Sequence, residues 1–258
     1  MPRTHSPRPA TLVAAVLCGL PLLAGPAAAA EVKLDDKVAK PLKAMAEFLT
    51  KTKTFALTVD ESFDVVQEDG LKLQSNRRRR VIVSRPDRLF SDTAGDGTDT
   101  LFAYDRDSFV VFDKEHNTYA KEKAPDSIDK LIGELYKKYG IAVPLSDFVL
   151  SDPYKPLTAD VESGTYVGLT QIGEHKCHHL AFRQKSIDWQ IWIEDGDKPL
   201  PRKFVITYKR LADHPQYSAW MHHWDLEPKL TDETFRFTPP KKATKMNLVA
   251  PTQPEKKP

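Results

Sequence analysis

The sequence predicts an α+β fold: one large curved antiparallel β-sheet of about ten or eleven strands, covered by a few helices. Three observations carry that expectation. Apolar residues alternate with polar ones through most of the chain, as in strands that bury one face. Only two stretches, beginning near Val38 and Ile128, have the three-to-four spacing of a strong amphipathic helix. Turn formers separate the alternating stretches at short intervals, so successive strands pair as antiparallel neighbours, and a sheet of that size must curl or split.

The first 30 residues have the three-part order of a secretory signal. Arg3 and Arg8 form a basic start, Ala10 to Leu23 an apolar run, and Ala27 to Ala30 a small-residue cleavage pattern. The run falls short of the ~20 residues that span a bilayer, so the chain is expected to be exported and soluble rather than membrane-spanning. Cys18 is not read as a lipid-modified residue, because Leu17 precedes it and the apolar run continues to Leu23. Residues 31–238 are expected to form a single domain with a helical insert at about 114–160, and the Pro- and Lys-rich residues 239–258 a flexible tail.

The elements follow in order. Val38, Leu42, Met45 and Leu49 make one helical stripe, and Pro41 suits a first turn, which places the start near residue 39 or 40. Phe55, Leu57 and Val59 alternate on a strand, as do Leu71, Leu73, Val81 and Val83 on the next, with Glu68-Asp69-Gly70 as the turn between them. Pro86 ends the second strand, Gly95-Asp96-Gly97 marks a loop, and residues 101–105 and 109–113 form a hairpin around Arg106-Asp107-Ser108. From Ser127 to Tyr139 the apolar positions Ile128, Leu131, Ile132, Leu135, Tyr136 and Tyr139 define the second helix, with Asp126 or Ser127 as cap and Gly140 as its end. A weaker helical turn spans Leu145 to Leu150, and Pro153 and Pro156 close the insert. Strands then return at 161–169, 177–184, 187–194, 203–210, 216–226 and 234–238.

Several strings within this order resemble an uncharacterised family of exported bacterial proteins in the outer-membrane lipoprotein-carrier (LolA/LolB-like) superfamily. They are R-P-D-R-L at 85–89, K-Y-G-I-A-V-P-L-S-D at 138–147, D-P-Y at 152–154, C-H-H-L-A-F-R-Q at 177–184, D-W-Q-I-W-I-E at 188–194 and P-L-P-R-K at 199–203. The resemblance implies a LolA/LolB-like half-barrel with an apolar concave face and helices as its lid. It also implies periplasmic binding or carriage of an apolar ligand, either a lipid or the acyl chains of a lipidated protein. The chain departs from the carriers in its length, its insert and its lysine-rich tail.

Composition bounds function from another side. Across 258 residues, 38 Lys+Arg face 36 Asp+Glu, which leaves a formal +2 and no field for nucleic acid. Loss of the signal removes Arg3 and Arg8 and leaves a formally neutral chain with Cys177 as its single cysteine, so a hydrophobic core must supply the stability. No nucleophile elbow, phosphate loop or haem signature is present, and the protein is read as neither an enzyme nor a cofactor carrier.

Among candidate ligand contacts, Arg77 and Arg79 fall on the Val81 face of their strand, where guanidiniums at the rim of an apolar concavity suit a phosphate or carboxylate; the competing reading is a solvated edge strand. Trp189 and Ile191 share one strand face, and alternation puts Trp220 and Trp224 on one face of another with His222 between them. His175, Cys177 and His179 alternate along one strand and are weak metal candidates, because their spacing matches no metal motif. The alternative to ligand carriage is an envelope module that docks a partner protein through its basic stretch and tail. A monomer is expected.

Overall fold

The computed structural model describes residues 32–248. The signal and residues 249–258 of the tail therefore lie outside the described residues. Helix α1 (Asp36–Lys51) starts a turn earlier than Pro41 suggests, because the Asp35 side chain accepts from the Lys37 amide at 2.8 Å and caps it there. Pro41 then sits inside the helix, near enough to its start that the helix continues with Val38, Leu42, Met45 and Leu49 buried.

Six strands follow: β1 (Thr54–Val66), β2 (Lys72–Ser84), β3 (Arg88–Gly95), β4 (Thr98–Tyr104), β5 (Ser108–Asp113) and β6 (Thr118–Lys123). Helix α2 (Ile128–Tyr139) has the ends its sequence requires: the Ser127 hydroxyl accepts from the Lys130 amide, and Gly140 takes a left-handed φ of 65°. After a 3-10 turn at Ser146–Phe148 and the short α3 (Tyr154–Thr158) come β7 (Val161–Ile172), β8 (His175–Gln184), β9 (Ile187–Glu194), β10 (Pro201–Tyr208) and β11 (Gln216–Asp225). A second 3-10 turn, Asp232–Phe235, stands where a strand at 234–238 is expected, and β12 (Thr244–Lys245) ends the order.

All twelve strands belong to one curved sheet ordered β12-β6-β5-β4-β3-β2-β1-β11-β10-β9-β8-β7. Two meanders, β1 to β6 and β7 to β11, thus join where β11 pairs antiparallel with β1. The connection from β6 to β7 leads from near one edge of the sheet to the other, and α2 and α3 lie in it.

The strand count exceeds the sequence expectation through short or weakly patterned strands. In β6 only Ala120 is buried, and Lys121, Glu122 and Lys123 give it the charged character of an edge. In β3 the inward positions after Leu89 are Ser91 and Thr93, which blunt the apolar alternation. The insert is correspondingly shorter than 114–160: its helical part begins at Ile128. The tail expected to be free from Pro239 contributes β12, which pairs in parallel with β6, and Met246 donates its amide to the Tyr119 carbonyl at 2.7 Å.

The two halves of the concave face are covered differently. Over β7 to β9 lies α1, whose approach depends on Gly164: a Cβ there would stand 2.9 Å from Leu34 Cδ2 and 3.0 Å from Val38 Cγ1. Beneath it Phe182 and Trp189 stack at 3.9 Å between centroids, Phe204 stands 5.5 Å from Trp189, and Leu180, Ile191 and Ile193 are fully enclosed. Over β2 to β5 lie α2 and the segment that follows it.

Candidate ligand cavity

Strand register alone orders the wall beneath α2 into four rows, since residues paired across strands share a face. The innermost row is Phe55, Val83, Leu89, Tyr104 and Phe109, all buried. The next is Leu57, Val81, Ser91, Phe102 and Val111. Then come Val59, Arg79, Thr93, Thr100 and Asp113, and last Glu61, Arg77, Gly95 and Thr98, at the ends of β3 and β4. The face therefore grades from aliphatic and aromatic to hydroxylic and charged along the strand direction. Gly95 permits the close pairing at the outer row, because a Cβ there would collide with the Arg77 Cα.

Between this wall and α2 is a cavity of about 270 Å³, roofed by Ile132 and Leu135 of α2 and by Ile141, Ala142, Val143 and Pro144. Leu89, Phe102 and Val111 form its apolar floor, and Arg77, Arg79, Thr93, Thr100 and Asp113 its polar end. A narrower space of about 50 Å³ shares Arg79, Leu89, Ser91, Val143 and Pro144 with it and reaches Phe55 and Trp224.

The roof is fastened at its far end. Arg85 donates to the carbonyls of Phe148, Val149 and Leu150, the last at 2.7 Å, and to Thr52 at 3.3 Å. Burial lowers the Arg85 pKa, with partial relief from Asp129. Ser151 donates its amide to Asp129 at 3.0 Å, and Thr50 donates its hydroxyl to the Ser151 carbonyl at 3.0 Å. These ties hold 148–151 against α1, α2 and the end of β2, while Ile141 and Val143 pack on the core through partly buried side chains and the Ile141 amide donates to the Leu135 carbonyl at 3.0 Å.

At the polar end one carboxylate serves two guanidiniums. The Glu61 side chain is fully buried; its Oε2 accepts from Arg77 Nε and, at 3.3 Å, from an Arg79 terminal nitrogen, while its Oε1 accepts from the Tyr217 hydroxyl at 2.7 Å. Burial, then the Glu61 charge, hold the Tyr217 hydroxyl well above its ordinary pKa, so it stays a proton donor. Arg79 Nε is buried and has no acceptor among the described residues.

The other residues singled out by sequence fall elsewhere. Trp189 and Ile191 are packed under α1, away from the cavity. Trp220 and Trp224 do not share a face: His223 has φ 50° and the β1–β11 register shifts there, a bulge that turns Trp224 inward, 5.5 Å from Phe55, and leaves Trp220 45% exposed on the opposite face. His175 pairs with Glu194 at 3.0 Å, and His179 stacks on Trp192 at 4.0 Å and bonds Gln190 at 2.9 Å. Cys177 is enclosed, and burial pushes its thiol up to about 11. Among the described residues, no group of three His, Cys, Asp or Glu side chains converges as a metal site requires.

Nor does the Arg77 to Arg80 run form a solvated edge. Arg77 and Arg79 turn inward, Arg78 pairs with Asp60 at 2.6 Å, and β2 lies between β1 and β3 in the interior of the sheet. Glu61 and Tyr217 escaped sequence reasoning. The available signal was Glu61 itself, a carboxylate at an inward position of the alternation Phe55, Leu57, Val59, Glu61, Phe63.

A family model described as a predicted periplasmic protein (DUF2092) matches residues 39–249, a span that contains every string on which the family resemblance rests. No curated protein matches the chain. Among solved structures, an uncharacterized conserved protein from Thermus thermophilus is similar at 10% identity and a TM-score of 0.48, over 81% of this chain and 97% of that one. A LolA superfamily protein from Nitrosomonas europaea is similar at 10% identity and 0.40, over 78% and 97%. The lipoprotein LppX of Mycobacterium tuberculosis is similar at 10% identity and 0.41, over 76% and 98%. No helix among the described residues is long and apolar enough to cross a membrane.

Proposed function

The chain belongs to the DUF2092 family of predicted periplasmic proteins, and from that premise we propose that it is an exported, soluble, non-enzymatic protein that binds or carries the acyl chain of a lipid or lipidated protein. The cavity carries this reading: about 270 Å³, close to the lower end of the ~300–1,000 Å³ of small-molecule sites, with an apolar floor and roof and all its formal charges at one end. Such a gradient suits an amphiphile better than a polar metabolite, which would leave its hydrogen-bonding groups unpaired against Phe102 and Val111.

Binding works by burial. Each CH₂ moved from water into the cavity contributes roughly 0.8 kcal/mol, less the entropy of ordering the chain. Ile141 to Pro144 form the part of the roof free to lift, since the ties of Arg85 and Asp129 lie beyond it at 148–151. Of the basic stretch behind the docking alternative, Arg77 and Arg79 point inward, which leaves Arg78, Arg80 and the lysine-rich tail as its basis.

The test is to purify the protein from periplasm, extract it, and examine the extract by mass spectrometry. The expected result is one class of acyl compound at near-stoichiometric amount. Empty protein that also fails to bind a fluorescent fatty acid excludes the reading.

A further inference from the structure

We infer that the Glu61–Arg77–Arg79 cluster is a receptor for one negative charge on the ligand's head group, so that the cavity selects anionic single-chain amphiphiles over neutral ones. The inference rests on the cavity being the ligand site and adds the chemistry of what it takes.

The argument is one of charge and of hydrogen-bond capacity. Two guanidiniums share one fully buried carboxylate, and their own side chains are only 3% and 13% exposed. The cluster therefore keeps a formal positive charge in surroundings where an uncompensated cation is unfavourable. Both Glu61 oxygens are engaged, Oε1 by Tyr217 and Oε2 by both arginines. The remaining capacity is on the Arg79 side, whose buried Nε has no acceptor among the described residues.

Three further carboxylates line the cavity, Asp99, Asp113 and Glu115, and none of them is an ion-pair partner of Arg77 or Arg79; Glu115 lies in the turn after β5, farther along the sheet than Asp113. Asp60 is bound by Arg78 on the opposite face, and Asp99 by Lys114 at 2.8 Å. Asp113 lies in the Arg79 row but three strands along it, roughly 14 Å at the backbone, and is bonded to His116 at 2.8 Å. Between Arg79 and Asp113 stand Thr93 and Thr100, two hydroxyls able to donate to an anion. An anionic head on Arg79 places an attached chain directly over Val81, Phe102 and Val111, the next row inward. A carboxylate and a phosphate both fit the guanidinium fork, and these are the two sources of the same chemistry.

Calorimetric titration of the purified protein with dodecanoate, dodecyl phosphate and dodecanol at pH 8 tests it. Dodecanoate, dodecyl phosphate or both should bind at least tenfold more tightly than dodecanol, and the better of the two identifies the head group. In Arg79→Gln that ratio should collapse toward one, while Arg79→Lys, which keeps a charge, should retain part of it. The wild-type ratio decides the matter even if a variant fails to fold. Equal binding of all three compounds, or an undiminished ratio in folded Arg79→Gln, overturns the charge receptor and leaves the cavity reading standing. Failure of all three to bind overturns both.

Discussion

The two halves of the concave face obey the same alternation yet end in opposite states. Over β7 to β9, α1 sits directly on the sheet, brought close by Gly164, and Phe182, Trp189 and Phe204 fill the space between. Over β2 to β5, the corresponding positions are Ser91, Thr93, Phe102 and Val111, smaller in sum, and α2 with its following segment leaves about 270 Å³ unfilled. An inward-facing register thus specifies a buried face without specifying a packed one. Side-chain volume and the distance of the covering helix decide whether that face becomes core or cavity.

The sharpest way to break this contrast is to truncate one aromatic in each half. Trp189→Ala should cost roughly 3–5 kcal/mol, because its stacked neighbours cannot collapse into the space. Phe102→Ala, already beside the cavity, should cost no more than about 1.5 kcal/mol, since it removes fewer contacts. Urea denaturation of both variants checks the pair, and equal losses would mean that the two halves are packed alike.

Next in size is the junction between the halves, where β1 carries Glu61 to Arg77 and Arg79. Glu61→Gln leaves two buried guanidiniums without their carboxylate and should lower stability by about 3 kcal/mol, measured in the same way. A stability unchanged by this variant would show that the arginines find other partners. Filling the cavity should act on binding rather than on folding. Val111→Trp should weaken acyl-chain affinity at least tenfold, read by fluorescent fatty acid titration, while the thermal midpoint stays within a few degrees.

The smallest contrast is in pH response, one histidine from each half. A hydrogen bond donated to Asp113, and the charge of that carboxylate, raise the His116 pKa above its ordinary 6.5, so its contribution is present below that value and fades as pH rises through the folded pKa. Burial lowers the His179 pKa below 6.5, against the opposing hydrogen bond of Gln190, so its contribution is present above 6.5 and lost as pH falls through the folded pKa. NMR titration of the two imidazoles should give midpoints on opposite sides of 6.5. Midpoints on the same side would remove the distinction.

Much of the fold is legible in the sequence because its signals are local. The α1 stripe, the Ser127 cap and Gly140 stop of α2, the hairpin at Arg106 to Ser108 and the inward set Ile187, Trp189, Ile191, Ile193 each depend on residues a few positions apart. The misses share a cause as well. Thr118–Lys123 and Thr244–Lys245 have too few buried apolar side chains to announce a strand, and they become one only because a neighbouring strand offers unpaired backbone groups. Trp224 leaves its expected face because a single extra residue in one strand reverses every later side chain, and that residue, His223, resembles its neighbours in the sequence.

The candidate site divides in the same way. That Arg77 and Arg79 share a face with Val81 follows from the two-residue period of a strand. That this face holds a cavity, that Glu61 is the carboxylate both arginines share, and that Tyr217 bonds it from β11 depend on register between strands far apart in the chain. Side-chain direction is set by each residue's own backbone, whereas charge pairing and free volume belong to the space between elements, and their assembly alone brings those elements together.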